Sequence, residues 1–298
     1  SLQNNERWIS LKLNNAILIQ NIFAIHLISG NDCPERDPVS VIVEGRERCG
    51  ASFATIQAEH SRPITSPITN YKDLMQWENP SYPAFNVIPL CSRDLHLRTQ
   101  SSQIMVCHDM KGGYTNDDRY TQGSNNSNAY SIYHWHLIDI FVYFSHHLIT
   151  IPPTQWINVT HKHGVKCYGT FITEWNSGTQ LCHEVFFNTS TQALNLANAL
   201  INIAHTYGFD GWLINIENNC SPIILPNILL FLQSIRSSDL EISWYDSISF
   251  LDGQIRYQNE LNVTNVTFLN CVDSFFTNYR WDGGAPRRSA AAAKEIGR

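Results

Sequence analysis

Charge is scarce in this chain. Only 15% of its 298 residues are Asp, Glu, Lys or Arg, against about a quarter in an average globular domain. The balance is acidic, with a net charge of −6. A protein whose main partner is nucleic acid needs a basic face to meet the phosphates, and this composition argues against one. Long hydrophobic runs are missing too. The longest, 16–28, is interrupted by Gln20, Asn21 and His26 and is too short to span a bilayer. It also lacks the basic flank and small-residue cleavage site of a signal peptide. No pair of cysteines has Cys-x-x-Cys spacing. The eight are scattered, at Cys33, Cys49, Cys91, Cys107, Cys167, Cys182, Cys220 and Cys271, and several fall inside apolar runs where a thiol acts as a small hydrophobe. Reduced thiols in a cytosolic protein are the expectation. Asn-x-Ser/Thr triplets at Asn125, Asn158, Asn188, Asn219, Asn262 and Asn265 arise readily in an Asn-rich chain and leave secretion open.

What is present supports a sizeable core, since 43% of the residues are hydrophobic. Aromatic residues make up 11%, which suits a binder of sugars and suits an ordinary core equally. The first residue, Ser1, suggests a piece of a longer chain. Residues 1–62 show no clear periodicity and form an N-terminal segment to which no element is assigned. A turn-rich stretch follows, with Pro63, Pro67, Pro80 and Pro83.

From residue 103 short apolar runs recur, at 104–107, 138–144, 165–172, 211–216, 242–245 and 274–277. Helical patterns fall between several of them. Residues 191–207 place Leu196, Leu200 and Ile203 on one face. Residues 223–235 form a second pattern, with Pro226 early enough for a first turn. Residues 155–163 form a third, stopped by Gly164. Strand and helix alternating at this spacing predict parallel βα units. The expected fold class is therefore α/β, a (β/α)8 TIM-barrel type over 63–298. It is incomplete, with about six units visible. Polar residues gather where such a barrel puts its site, at the C-terminal ends of strands. These are Cys107-His108-Asp109, Ser145-His146-His147, Thr173-Glu174-Trp175-Asn176, Asn215-Ile216-Glu217-Asn218, Trp244-Tyr245-Asp246 and Thr277-Asn278-Tyr279.

The run Asp210-Gly-Trp-Leu-Ile-Asn-Ile-Glu-Asn218 is the most informative. In a strand, Asn215 and Glu217 share a face, about 6–7 Å apart. Two polar groups on one face of an apolar strand are costly to bury unless they meet a ligand. Glu217 is the candidate proton donor. A glycosidic oxygen leaves poorly unless protonated, and a partly buried carboxylic acid does this well. A capping or salt-bridged Glu is the plainer alternative. Most glycosidases pair the acid with a second carboxylate. Here the neighbour is an amide, which cannot attack the anomeric carbon but can orient a substrate group that does. A 2-acetamido sugar brings its own nucleophile, the acetamido oxygen. That points to N-acetylglucosamine at the cleaved bond. His134-x-His136, His146-His147 and His161-x-His163 invite a metal reading, but no further ligand completes a zinc set. No metal and no cofactor are expected.

The spacing of 210–217 is similar to the Asp-Gly-x-Asp-x-Asp-x-Glu strand of family 18 chitinases, with Leu213 and Asn215 in place of two aspartates. A closer match resembles the cytosolic endo-β-N-acetylglucosaminidases of glycoside hydrolase family 85. It is carried by 106–114 (Val-Cys-His-Asp-Met-Lys-Gly-Gly-Tyr), 133–135, 139–147, 169–176, 209–218, 244–247 and 275–279, in order over roughly 63–282. The resemblance implies cleavage of the β-1,4 bond in the N,N'-diacetylchitobiose core of Asn-linked glycans, free or on glycoproteins and glycopeptides, by substrate-assisted retaining catalysis. It implies Glu217 as acid/base, Asn215 as the acetamido-positioning residue and Tyr245 lining that subsite. Trp175, Asn176, Tyr257 and Trp281 would be glycan contacts, Tyr257 standing where the family often has Trp. A glycan-binding partial barrel without activity, or a chitinase-like hydrolase, are the alternatives. Neither nucleic acid nor membrane is an expected partner.

Overall fold

A computed structural model describes residues 65–78, 88–93, 103–119 and 126–298, and the backbone of two strands nearer the N-terminus. The chain divides into two compact units, 1–61 and 62–298. Within the first, β1 (Ile22–Ile28) and β2 (Ser40–Gly45) form an antiparallel pair. No element was expected there. The strand β1 occupies the end of the apolar run 16–28, whose polar interruptions mask a strand pattern.

The second unit is built on a parallel sheet. Its strands are β3 (Met105–Asp109), β4 (Ile140–Phe144), β6 (Lys166–Glu174), β7 (Gly211–Glu217), β8 (Glu241–Tyr245) and β9 (Ser274–Phe276), hydrogen-bonded in that order. A two-residue β5 (Ile149–Thr150) pairs antiparallel with β6. Each strand lies beside the next one in sequence, the winding of a barrel wall. The six expected runs all become strands, shifted at their ends by up to two residues. One shift matters: Cys107, His108 and Asp109 lie inside β3 rather than after it.

Helices cover the outer face. The short α1 (Tyr71–Met75) is capped by Asn70, whose side chain accepts from the Asp73 N–H. Next comes α2 (Thr154–Lys162). Then α3 (Trp175–Gln180) runs straight into a π-helical turn at Leu181–Phe186. The longest, α4 (Ser190–Tyr207), starts at a capping box in which Thr189 and Gln192 exchange side-chain and backbone bonds, and stops at Gly208 with φ 73°. Its Ala193, Leu196, Ala197, Leu200, Ile203 and Ala204 are buried at helical spacing. It packs beside α5 (Leu225–Arg236), which buries Ile228, Phe231, Leu232 and Ile235. The four-residue α6 (Val266–Leu269) and α7 (Ala285–Glu295) follow. The helix α7 spans the alanine run near the end of the chain, for which no helix was expected.

Strand alternation divides the buried side chains in two. Phe141, Tyr143, Phe171, Trp212, Ile214, Ile216 and Trp244 point outward into the main core with the helices. Ile140, Val142, Tyr168, Leu213 and Tyr245 point inward, joined by Met105, Cys107, Phe144, Tyr257 and Phe276. Each large apolar side chain buried this way contributes about 1.5–3 kcal/mol. The six described cysteines are all unpaired.

Candidate active site

The strand β7 decides the site. Its outward residues anchor it in the core, so its register cannot slip, and a one-residue slip would turn Asn215 and Glu217 outward. Glycine is required at Gly211, where a Cβ would collide with the Glu241 carbonyl and the Tyr168 ring. Asn215, 4% exposed, lies on the inner face after Leu213, and half-buried Glu217 follows at the strand end. Asn215 Nδ2 donates to Glu217 Oε1 at 2.9 Å. Asn215 Oδ1 is buried and has no hydrogen-bond partner among the described residues. An orphaned buried carbonyl is unfavourable by about 1–3 kcal/mol, and a ligand N–H would satisfy it.

A second carboxyl stands next door. Glu174 ends β6 directly opposite Glu217 in the parallel register. Burial, and then the charge of Glu217, raise its pKa, while His146 pulls it down. His146 follows β4 and bonds Asp109 at the end of β3 through Nε2 at 3.1 Å. The residue after Glu174, Trp175, has φ 59° and is 81% exposed. His146 (58°), Tyr257 (45°) and Asn259 (61°) share that left-handed backbone. Such conformations are strained in bulky residues and gather at functional sites. The Trp175 carbonyl accepts a bond from Asn218 Nδ2 at 2.7 Å, which ties the end of β7 to the start of α3.

The loops after β8 and β9 close the other side. Tyr257 Oη donates to Glu217 Oε2 at 2.9 Å. Burial, then its bond to Glu217, push the Tyr257 phenol up to about 12. Tyr245, at the end of β8, donates to Asn278 Oδ1 at 3.1 Å. Burial, followed by the Glu217 charge, holds its phenol above the ordinary range. The cluster thus presents one carboxyl gripped by two donors, an amide oxygen without a partner, and phenols around them. It can deliver a proton while orienting a ligand amide.

The opposite end of the sheet is built differently. A cavity of about 410 Å³ is lined there by Lys166, His205, Asp210, Asp239 and Glu241, among others. Its polar groups pair with one another: Lys166 with Glu241 in an ion pair, and His205 with Asp239 through a hydrogen bond of 2.6 Å. Asp210 accepts from the Cys167 N–H at 2.7 Å and bonds His161 at 2.8 Å. Burial disfavours the charged His161 ring, but Asp210 outweighs it and the net shift is upward. These groups clamp the strand starts together. Among the described residues no group of three or more His, Cys, Asp or Glu is placed to hold a metal ion.

The model of glycosyl hydrolase family 85 matches residues 114–298. The chain belongs to glycosyl hydrolase family 85. Among its relatives, the cytosolic endo-beta-N-acetylglucosaminidase of Mus musculus is 42% identical over 243 residues, 79% of this chain and 33% of the relative. Cytosolic endo-beta-N-acetylglucosaminidase 1 of Arabidopsis thaliana is 41% identical over 244 residues, 78% of this chain and 35% of the relative. The chain thus spans about a third of the length of the curated relatives it matches. The solved glycoside hydrolase domain of Endo-D from Streptococcus pneumoniae superposes with a TM-score of 0.67 at 22% identity, over 80% of this chain and 41% of that one. That likeness speaks to the fold, an α/β barrel of which the parallel sheet here is a part.

Family 85 membership displaces the family 18 alternative. The aspartate that opens the chitinase-like pattern sits at the far end of β7, in the clamp. Of the expected site residues, Glu217, Asn215 and Tyr257 are joined by hydrogen bonds, and Tyr245 lies beside Tyr257 with ring centroids 6.3 Å apart. Trp175 and Asn176, at the start of α3, and Trp281, after β9, are exposed, and no hydrogen bond or ring contact among the described residues joins their side chains to that cluster. Tyr257, expected as a glycan contact, bonds Glu217. Glu174 and Asn278 were legible only as polar residues at strand ends.

Proposed function

We propose that this chain carries an endo-β-N-acetylglucosaminidase site. It would hydrolyse the β-1,4 bond between the two core N-acetylglucosamines of Asn-linked glycans, free or on glycoproteins and glycopeptides, leaving one sugar on the protein. The observation that supports this best is the orphaned Asn215 Oδ1 beside Glu217. The acetamido N–H donates to that oxygen, which turns the acetamido carbonyl toward C1. Glu217 gives its proton to the departing glycosidic oxygen as the carbonyl oxygen bonds C1, forming an oxazolinium ion whose N–H stays on Asn215 Oδ1. Asn215 and Tyr257 then stabilise the carboxylate left on Glu217, which takes a proton from water as water attacks C1 and opens the oxazolinium ring to the acetamido group. Two displacements at C1 retain its configuration. Every bond is made or broken by groups of the substrate, water and Glu217, so no cofactor or metal enters.

Tyr245, fixed on Asn278, would line the acetamido subsite. Trp175 and Trp281 offer exposed indoles for sugar faces to stack on, and Asn176 a polar contact. The region 63–298 is proposed as the partial catalytic barrel. The relatives' names carry the word cytosolic, and among the described residues no helix is long and apolar enough to cross a membrane; a cytosolic location is proposed on the first of these.

The test is to incubate a defined Asn-linked glycopeptide with the protein and weigh the products. A peptide bearing a single N-acetylglucosamine is expected. Glu217→Gln should abolish the product, and full turnover in that variant removes Glu217 from the mechanism. Asn215→Ala should slow glycopeptide cleavage by about 10²–10³-fold, the scale of losing one preorganised polar contact, yet still accept a preformed oxazoline donor. Binding of the glycopeptide with no cleavage would favour a glycan-binding module instead.

A further inference from the structure

Tyr257 reaches Glu217 from a loop that ought not to hold its shape unaided. Tyr257 and Asn259 both have left-handed backbone, with φ 45° and 61°. That backbone is unfavourable for a bulky residue such as Tyr257. The conformation persists only if its surroundings over-determine it.

Asp246 supplies that determination. It follows β8 and is fully buried. Its Oδ2 accepts the backbone N–H of Asn259 at 3.0 Å, and its Oδ1 accepts Asn265 Nδ2 at 3.0 Å. Asn265 Nδ2 also reaches the Glu260 carbonyl at 2.8 Å. The next residue, Ser247, receives the Arg256 and Tyr257 N–H groups on its carbonyl, at 2.9 and 3.1 Å. Asn259 in turn donates from Nδ2 to the Tyr257 carbonyl and accepts the Arg280 N–H at 2.8 Å. The loop that carries Tyr257 is therefore fastened at its C-terminal side to one buried carboxylate.

We propose that Asp246 is a positioning residue, whose carboxylate locks the 256–260 loop so that the Tyr257 hydroxyl stays on Glu217. This deepens the proposed function and rests on Glu217 as its acid. Asp246 touches no reacting atom and acts through Tyr257 alone. Burial pushes its carboxyl up to about 6, against the opposing N–H bonds of Asn265, Asn259 and Gln258. Its carboxylate accepts from Asn259 in this loop and from Asn265, which in turn fastens Glu260 at the loop's end.

Two measurements test it. The first needs no activity: label the tyrosines with ¹³C at Cζ and assign Tyr257 as the resonance lost in Tyr257→Phe. In Asp246→Asn that resonance should move toward the position of a solvent-exposed tyrosine. An unmoved resonance overturns the proposal. The second is a double-mutant cycle in glycopeptide cleavage. Asp246→Asn and Tyr257→Phe should each lower kcat about tenfold, the scale of one hydrogen bond to a charged group, with KM little changed. The double variant should be no slower than the slower single variant. Losses that multiply would show that Asp246 acts elsewhere and overturn it. If Asp246→Asn does not fold, Asp246→Ser, which withdraws the carboxylate and leaves a smaller polar group, takes its place in both measurements. If the parent chain cleaves nothing, the proposed function fails while the ¹³C measurement still decides the loop.

Discussion

At the scale of single residues, two carboxyls on adjacent strands set the electrostatics. Glu174 and Glu217 are register partners at the ends of β6 and β7, and the Glu217 charge disfavours a second one on Glu174. Burial and that charge raise the Glu174 pKa above its ordinary 4.5. A carboxyl whose pKa is raised in the folded state stabilises fully below its unfolded pKa, and that contribution is lost as pH rises through the folded value. Glu174→Gln removes the loss. The variant should melt higher than the parent at pH 7, and the gap should close as pH falls toward 4. A gap constant across that range would mean that Glu174 carries no such penalty. Legibility also divides at this scale. Glu217 and Asn215 stood out because polar groups two apart on an apolar strand are conspicuous. Tyr257 lies 40 positions further on, in a stretch with no periodicity, and nothing local marks its hydroxyl for Glu217.

At the scale of elements, β6, β7 and β8 were legible because a strand buried on both faces reads as a continuous apolar run. The helices α4 and α5 were legible through their 3.6-residue spacing. What stayed hidden were the places where tertiary contacts override local preference. The π-helical turn at 181–186 is one, and the left-handed Trp175 at the junction of β6 and α3 is another. Strand geometry alone separates Asp210 from Glu217: a seven-residue strand is about 23 Å long, so the two lie at opposite ends of β7 although the pattern joins them. The close approach of β6, β7 and β8 at Gly211 gives a direct check. Gly211→Ala should destabilise the protein by about 1–3 kcal/mol, as overpacking does, read as a lower urea midpoint. An unchanged midpoint would mean the strands can spread there at no cost.

At the scale of the whole molecule, the six-stranded parallel sheet has two ends. Among the described residues the outer edges of β3 and β9 have no strand partner. Free edges offer unpaired N–H and C=O groups to other chains. Concentration-dependent association is expected in light scattering, and a strictly monomeric protein at every concentration would show those edges to be covered. The amino-acid sequence by itself determined the alternation of strands and helices, the inward face of β7 and the two residues placed there, because side-chain period and apolar pattern act over a few neighbours. Only the tertiary structure decided that Tyr257 bonds Glu217, that Glu174 faces it, and that Asp246 holds the loop between them. Those contacts join residues tens of positions apart, and their geometry follows from how the strands twist and pack, which no local pattern encodes.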